Sequence, residues 1–280
     1  MLSTVADAPA VLALLQTAPP EAVTRIQTAP LLRASLWTNV ALAGASALLF
    51  VYMARTVRLN RARLVFAATV LISLVSLSSY LGLLSGLTVG LITMPAGHPL
   101  GGEEVLVQWG RYLTWTVSTP LILLALGLVA AVDRVDLFAV LAADVGMCAT
   151  GLAAALTTST QGYRWAFFGI STAFFLVVLY ALVVTWPARA KAAGSGDIFA
   201  TLRTLTVVLW IGYPVVWVVG VEGLALTDST ALTSWGYSIL DVGAKYVFAF
   251  LLLRWVRRNE RTVQDPAVHG GATARSPAQD

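Results

Sequence analysis

The sequence predicts an all-α membrane protein that folds as a bundle of seven transmembrane helices. Of its 280 residues, 58% are hydrophobic and only 11% are charged, whereas a soluble domain carries about 25% charged residues. Seven apolar runs each reach the roughly 20 residues that one bilayer crossing requires. These spans cover residues 34–56, 62–87, 105–131, 136–158, 164–187, 199–222 and 232–256. Residues 34–257 are therefore predicted to form one helical domain.

The basic residues predict how the bundle is oriented, because Lys and Arg concentrate in cytoplasmic connections. They cluster between the first two spans, between the fifth and sixth, and at the end of the seventh. The connections after the second and sixth spans contain neither Lys nor Arg. We therefore predict an extracellular N-terminus, a cytoplasmic C-terminus and a multi-pass protein of the plasma membrane. These span ends also account for the net charge of +4, so no nucleic-acid partner is expected.

The two ends of the chain are predicted to lie outside the bundle. Residues 1–33 form an extracellular segment, and their apolar run "AVLALL" is too short and lacks the basic flank of a cleaved signal peptide. The role of this segment stays open, and one interpretation is a cap over the extracellular mouth. Residues 258–280 are polar and are predicted to be a disordered cytoplasmic tail. The single cysteine, Cys148, lies inside the fourth span, so neither a disulfide framework nor a metal site is expected.

The seventh span contains two ionisable residues, Asp241 and Lys245, within "SILDVGAKYVFAFLLL". A charge at the bilayer centre costs about 2.5–3.5 kcal/mol on insertion scales, so such residues usually have a function. One interpretation is a structural ion pair that fixes helix packing. The other is an amine that forms a Schiff base with a carbonyl ligand. Asp241, one turn away on the same helix face, is then its counter-ion.

The sixth span carries an aromatic face that could form the wall of a ligand pocket. Trp210, Tyr213 and Trp217 follow one another at i, i+3 and i+7. Ordinary core packing would give the same stripe. Pro214 favours the pocket, because proline removes a backbone hydrogen bond and kinks the helix beside these rings. Gly151 in the fourth span either permits close helix approach or leaves room for a ligand ring.

Several segments together resemble the microbial (type I) rhodopsins over nearly the whole membrane portion. They are "WGRYLTWTVSTPLILLALGL", "LWIGYPVVW" and "LDVGAKYVFAFLLL" in the third, sixth and seventh spans. The stretches "SSYLGLLSGLTVG", "MPAGH", "TGLAAALTTS" and "VGVEGLAL" resemble the halorhodopsin subfamily of haloarchaeal light-driven chloride pumps. The resemblance implies a seven-helix bundle of microbial-rhodopsin type, with all-trans retinal bound to Lys245 as a protonated Schiff base.

The resemblance also implies which residues surround the retinal. They are Trp115, Thr119, Met147, Gly151, Ser171, Trp210, Tyr213 and Trp217. Asp144 matches a family position that stays protonated and bonds toward Thr119. Phe168 departs from the pattern, since many relatives have Trp or Tyr there, and this leaves the packing of the ring end and the colour open. A homotrimer is the family expectation, and lipid or carotenoid between protomers stays an open question.

The third span indicates which ion is moved. Arg111, Thr114, Ser118 and Ala125 share roughly one helix face at i, i+3, i+7 and i+14. A protonated Schiff base and Arg111 supply two positive charges against the one negative charge of Asp241, and an unpaired buried charge is expensive. Proton-pumping relatives have Asp at the position of Thr114, and Ala125 cannot donate a proton. A chloride ion near Ser118 and Thr114 would restore neutrality, so the sequence predicts a light-driven inward chloride pump.

Other residues are assigned to the anion path. Ser76 and Ser78 of the second span could add hydroxyls to the anion site, although serine often bonds only to its own helix. By resemblance, Arg203 and Thr206 mark the cytoplasmic exit; Arg203 could equally be an interfacial anchor.

Alternative functions stay open from the sequence. A sensory photoreceptor would share the retinal pocket, and a proton or sodium pump would require acidic groups that Thr114 and Ala125 do not supply. In each case the protein is predicted to be no enzyme.

Overall fold

The computed structural model describes residues 20–264, which form a helical bundle with one short hairpin. The first half contains α1 (Pro20–Thr28), α2 (Pro30–Ala54), α3 (Asn60–Leu84), β1 (Gly90–Thr93), β2 (Glu104–Val107), α4 (Gly110–Val129) and α5 (Arg134–Leu156). The second half contains α6 (Gln161–Tyr180), a π-helical segment (Ala181–Thr185), α7 (Trp186–Ala192), α8 (Gly196–Val219), α9 (Thr230–Asp241), a second π-helical segment (Val242–Val247), α10 (Phe248–Arg258) and α11 (Glu260–Gln264).

The seven predicted spans are confirmed as helices. Six helices are long and apolar enough to cross a membrane: α2, α3, α4, α5, the continuous helix through α6 and α7, and α8. The seventh, residues 230–258, is divided into α9 and α10 by its π-helical segment. Polar side chains mark several beginnings, since Asp133, Thr160 and Ser229 each accept hydrogen bonds from the first amides of α5, α6 and α9.

The predicted third span began too early, because residues 104–107 form a strand. β1 and β2 pair antiparallel, with Gly90 opposite Val107 and Thr93 opposite Glu104. The apolar run predicts a helix from residue 105, whereas in the structure Gly101 and Gly102 permit a turn that returns Glu104–Val107 along β1. Gly102 has φ of +85°, a value that glycine adopts without strain.

The ends of the bundle differ in structure. Helix α1 packs on the hairpin, where Ile26 is buried and Arg25 Nη1 donates to the backbone oxygen of Glu104 at 2.9 Å. The predicted N-terminal segment is therefore helical over residues 20–28, and residues 1–19 lie outside the described part. At the other end, residues 260–264 of the predicted tail are helical, and residues 265–280 lie outside the described part.

Two faces of the bundle are useful for orientation. We call the end of the bundle that carries α1 and the β-hairpin the hairpin face. The opposite face, which carries Arg55, Arg58, Arg254, Arg257 and Arg258, is the arginine face. Large apolar side chains such as Leu48 (75% exposed) and Leu176 (60% exposed) point outward, whereas Asp144, Asp241 and Lys245 of the spans lie inside. This arrangement suits a bundle that is surrounded by lipid.

Candidate functional site

Lys245 lies at the centre of the candidate site, within the π-helical segment of the seventh span. Its side chain is 1% exposed, and Nζ lies 2.9 Å from Oδ2 of Asp241. Among the described residues, no other group pairs with this nitrogen. A π-helical turn inserts an extra residue into the helix and is frequent at functional sites. The i, i+4 spacing predicts this pair, whereas no sequence pattern predicts the π-helical turn.

Asp241 is held by hydrogen bonds from two neighbouring helices. The hydroxyl of Tyr80 in α3 donates to Oδ2 at 2.6 Å, and the hydroxyl of Tyr213 in α8 donates to Oδ1 at 2.7 Å. Both carboxylate oxygens thus accept bonds, which favours the ionised form of a buried carboxyl. The sequence predicts Tyr213 in the pocket but does not indicate Tyr80, which lies 161 residues from Asp241 along the chain.

Arg111 is the second buried cation, and it lies on the hairpin-face side of the pair. Its guanidinium donates to Gln108 Oε1 at 2.7 Å, to Ser234 Oγ at 2.8 Å and to the Tyr80 hydroxyl at 3.2 Å. Arg111 is only 3% exposed, and each of these contacts is with a neutral group. Tyr80 therefore connects Arg111 to Asp241, so one carboxylate stands among two cations.

The hydroxyl groups predicted to bind an anion differ in their burial and in their hydrogen bonds. Ser118 and Ser76 are fully buried, and neither Oγ atom has a hydrogen-bond partner among the described residues. Thr114 is buried and donates to the Gly110 carbonyl of its own helix at 2.9 Å. Ser78 is exposed, so its assignment to the anion site is wrong. Two residues along an α-helix point to nearly opposite sides, so Ser76 and Ser78 cannot share one face.

A mostly apolar cavity lies among helices α4, α5, α6, α8 and α9. All eight residues predicted to surround the retinal line it: Trp115, Thr119, Met147, Gly151, Ser171, Trp210, Tyr213 and Trp217. Lys245 and Asp241 are not part of its wall. Tyr213 connects the two regions, because its ring lines the cavity and its hydroxyl bonds to Asp241.

The walls of the cavity leave space for a flat ligand. A Cβ atom added to Gly151 would lie 3.4 Å from Ser171 Oγ and 3.5 Å from Tyr112 Cε1, so the glycine keeps this part of the cavity open. Phe168 stacks on Trp217, with ring centroids 4.6 Å apart and planes 19° apart. The sequence leaves the packing of Phe168 open. It does not predict that Tyr112 lines the cavity, as the structure shows.

Asp144 lies beside the cavity and is fully buried. Thr119 Oγ1 donates to its Oδ2 atom at 2.6 Å, which is the contact that the resemblance implied. Oδ1 has no hydrogen-bond partner among the described residues. That geometry suits a carboxyl that keeps its proton, because an ionised oxygen buried without a donor is costly. Its protonation stays a prediction.

Arg203 and Thr206 lie near the arginine face on α8. Thr206 is 1% exposed, and its Oγ1 atom has no hydrogen-bond partner in the described part of the chain. Arg203 is half-buried, and none of the ion pairs found within residues 20–264 involves it. Both interpretations of Arg203 therefore stay open.

A second buried acid, Glu222, was missed by sequence analysis. Its carboxylate accepts a short hydrogen bond from the hydroxyl of Tyr112, and its backbone oxygen accepts one from Arg164 Nη2 at 2.6 Å. Burial raises the pKa of Glu222 above its ordinary value. Glu222 was within the predicted sixth span, and the structure places it just after α8, which ends at Val219. A lone acid there follows no periodic pattern, so only the quoted "VGVEGLAL" indicates it.

The fold and site define a class: seven-helix membrane proteins with a buried lysine–aspartate pair beside an aromatic cavity. The model of the bacteriorhodopsin-like protein family matches residues 30–259, and the chain belongs to this family. The resemblance to microbial rhodopsins is thereby confirmed.

Relatives within this family are similar over most of their length. A halorhodopsin of Haloterrigena sp. (strain arg-4) is 65% identical over 260 residues, which is 93% of this chain and 88% of that protein. A solved structure described as halorhodopsin, a light-driven chloride pump, is 68% identical with a TM-score of 0.83, over 85% of this chain and 99% of the other. The bromide-bound form of halorhodopsin from Halobacterium salinarum is 67% identical with a TM-score of 0.83, over 86% of this chain and 99% of the other.

Proposed function

We propose that this chain is a light-driven inward chloride pump that carries all-trans retinal on Lys245 as a protonated Schiff base. It is then a transporter rather than an enzyme, and it works in the plasma membrane. The single observation that carries the proposal is the charge balance at the site: Lys245 pairs with Asp241, and Arg111 contacts only the neutral side chains Gln108, Ser234 and Tyr80. The similarity to proteins described as chloride-pumping and bromide-bound halorhodopsins supports the same function.

The charge balance requires an anion. Three buried groups carry a net charge of about +1, and an uncompensated charge in a protein interior costs several kcal/mol. The buried hydroxyl of Ser118, without a partner among the described residues, can donate to chloride. Thr114 lies one helical turn from Ser118, toward the hairpin face. Its side chain carries a hydroxyl and no carboxylate, so it cannot accept the Schiff-base proton. Chloride is then the mobile counter-ion, a role that a fixed carboxylate would otherwise fill.

The cavity residues fit retinal in shape and polarity. Trp115, Trp210 and Trp217 supply flat apolar walls, and Gly151 keeps space beside Ser171. Retinal held on Lys245 would supply the absorption of light and a double-bond isomerisation that reorients the N–H at the Lys245 nitrogen. Asp241, fixed by Tyr80 and Tyr213, orients the positive charge of Lys245 toward the hairpin face before illumination.

The path of the anion follows from the order of the polar residues. We assign the hairpin face to the outside, so Arg111 attracts chloride there and Ser118 receives it at mid-depth. Thr206 and Arg203 lie toward the arginine face and form the exit. Pro214 interrupts the backbone hydrogen bonds of α8 beside the cavity, nearer its hairpin-face end, and so gives the rest of this helix a place to bend. An inside-negative potential opposes inward chloride movement by about 2.3 kcal/mol per 100 mV, and light supplies this work.

The assembly is proposed on family resemblance alone. We expect a homotrimer in the lipid bilayer, with lipid or carotenoid between protomers as an additional element to test by mass analysis of the purified protein.

The proposal is tested by the light-induced pH change of cells that express the chain with added retinal, in chloride and in sulfate, with and without a protonophore. Inward chloride pumping drives passive proton uptake. We therefore expect alkalinisation in chloride that grows with the protonophore and disappears in sulfate. Acidification abolished by the protonophore would identify a proton pump instead. A coloured protein without any pH change would favour the sensory alternative.

A further inference from the structure

The amino end of α3, on the arginine face, has no cap of its own. Leu59 occupies the N-cap position and offers no side-chain acceptor, and Ala62 occupies the third helical position. The first amides of a helix lack intrahelical partners and usually bond to nearby side chains. Here the partners come from α11, about 200 residues further along the chain.

Helix α11 supplies both halves of a capping box from a distance. Glu260 Oε2 accepts hydrogen bonds from the amides of Arg58 and Leu59 at 3.0 and 3.2 Å. Gln264 Oε1 accepts from the amide of Arg61 at 3.0 Å. In an ordinary capping box, one acidic side chain reaches the N-cap amide and one N-cap side chain reaches an amide of the first turn. Glu260 and Gln264 fill these two roles, and the Glu260 charge also suits the positive end of the helix dipole.

The same short helix contacts the turn that precedes α8. A Cβ atom added to Gly194 would lie 3.5 Å from Cγ2 of Thr262, so α11 rests against this turn. Val263 is 1% exposed and belongs to the same buried cluster as Val57. Residues 259–264, which we call the strap, therefore bridge the start of α3 and the start of α8.

Both of these helix starts are also tied to the end of α4. Arg61 Nη2 donates to the Leu128 carbonyl at 2.9 Å, and Ser195 Oγ donates to the Val129 carbonyl at 2.7 Å. The arginine-face ends of α3, α4 and α8 thus form one hydrogen-bonded layer that the strap crosses. Outward movement of the arginine-face end of α8 would change the contact between the turn at Gly194 and Thr262 of the strap.

We propose that Glu260 and Gln264 are positioning residues for anion release: the strap holds the arginine-face end of α8 closed in the dark and separates from it when the exit opens. This inference rests on the proposed function only in placing the exit at that face. Neither residue touches the anion in this account, because each acts through α3 and the turn at Gly194.

The dark contact is tested by amide hydrogen exchange of the full retinal-loaded chain in lipid. We expect exchange to become about fivefold faster, the usual size of a lost N-cap, at the amides of residues 58 and 59 in Glu260→Ala and at the amide of residue 61 in Gln264→Ala. Glu260→Gln keeps an acceptor oxygen and should stay close to the parent chain. Arg261→Ala changes an exposed side chain of the same strap and is the matched control. Equal exchange in all four variants would overturn the trans-capping.

The opening is tested by the distance between spin labels on the exposed positions 200, in α8, and 261, in the strap, with the buried Cys148 left in place. Light should lengthen this distance in the parent chain, and Glu260→Ala should already show the longer distance in the dark. A coloured, photocycling protein whose distance does not change in light would overturn the proposed release. These surface labels leave the strap contacts intact, so this measurement does not depend on the folding of any strap variant.

Failure of the strap and failure of the proposed function give different results. Neither the exchange rates nor the label distances require chloride transport. A light-dependent distance in a chain that moves no chloride would refute the pump and leave the strap standing. Chloride transport with constant distance and unchanged exchange would refute the strap alone.

Discussion

The half of the bundle toward the hairpin face and the half toward the arginine face are built from different chemistry. The hairpin half holds a continuous polar network in which Ser35, Ser234, Arg111, Tyr80 and Asp241 follow one another by hydrogen bonds of 2.6–3.2 Å. The arginine half is packed with buried apolar side chains of several helices. They include Phe66, Ile122, Leu126, Leu202 and Leu252.

This difference shows which half of the bundle can bind an anion and which half forms a barrier to it. A polar network lowers the cost of a buried ion, whereas close-packed hydrocarbon offers it no partners. Chloride can therefore reach Ser118 from the hairpin side, and the apolar half is the barrier. A pump requires such asymmetry, since a bundle polar along its whole length would leak.

The largest effect is expected from removing Lys245, because both halves of the bundle then lose their function in transport. The chain contains only two lysines, Lys191 and Lys245. Lys245→Ala should lose all visible colour with added retinal, because no other buried amine can form the Schiff base, and transport should vanish. Absorption spectra check this result. The exposed Lys191→Ala is the control and should keep its colour, and a coloured Lys245→Ala chain would refute the Schiff-base assignment.

Changing the charge balance in the polar half should change the transported ion. In Thr114→Asp, a fixed carboxylate would neutralise the excess positive charge and accept a proton, so chloride would no longer be required. We expect light-induced acidification that persists in sulfate, measured with cell suspensions. Unaltered chloride-dependent alkalinisation in a folded, coloured variant would contradict the charge argument.

Removing one hydroxyl from the polar half should weaken anion binding without abolishing it. A hydrogen bond to a charged group contributes about 1.5–3 kcal/mol, so Ser118→Ala should lower chloride affinity by roughly tenfold to a hundredfold. Chloride titration of the absorption maximum gives this value. Ser78→Ala, on the exposed side of α3, should leave the affinity unchanged. Equal affinities in the two variants would remove Ser118 from the site.

The apolar half should determine stability more than its exposed surroundings do. Ile122 is 0% exposed, and Ile122→Ala leaves a cavity that costs about 2–5 kcal/mol. Ile170, 47% exposed on the outside of α6, is the matched control and should lose much less. The midpoint of thermal bleaching in one lipid compares them. A smaller loss at Ile122 than at Ile170 would contradict the packing of this half.

The smallest effect is expected at Glu222, at the outer edge of the polar half. An unfolded glutamate ionises near pH 4.3 (about its reference pKa), and burial raises the pKa of Glu222 in the fold. The folded state then binds more protons between these two pKa values, so stability falls as pH rises through that window.

Glu222→Gln removes this titration, so its bleaching midpoint should depend less on pH across the same window. Exposed Glu103→Gln should keep the pH dependence of the parent chain. A parent chain whose stability rises with pH in that range would contradict the environment assigned to Glu222.

The sequence alone determined the features that depend on residues close together in the chain. Seven apolar runs of spanning length determine the number of membrane spans, and the spacing of Asp241 and Lys245 determines their pairing. The face shared by Arg111, Thr114 and Ser118 follows from helical geometry in the same way. The resemblance of the motifs around these residues also predicted the wall of the pocket, and all eight predicted wall residues line one cavity.

Only the tertiary structure decided which distant groups complete the site. Tyr80, Gln108 and Ser234 bind Asp241 or Arg111, Ser76 turns inward while Ser78 turns outward, and Glu260 caps a helix 201 residues away. No local pattern encodes these contacts, because each depends on how separate helices are rotated and shifted against one another. The hairpin was not predicted for the same reason. Residues 104–107 are apolar enough for a helix, and they form a strand because they pair with residues 90–93.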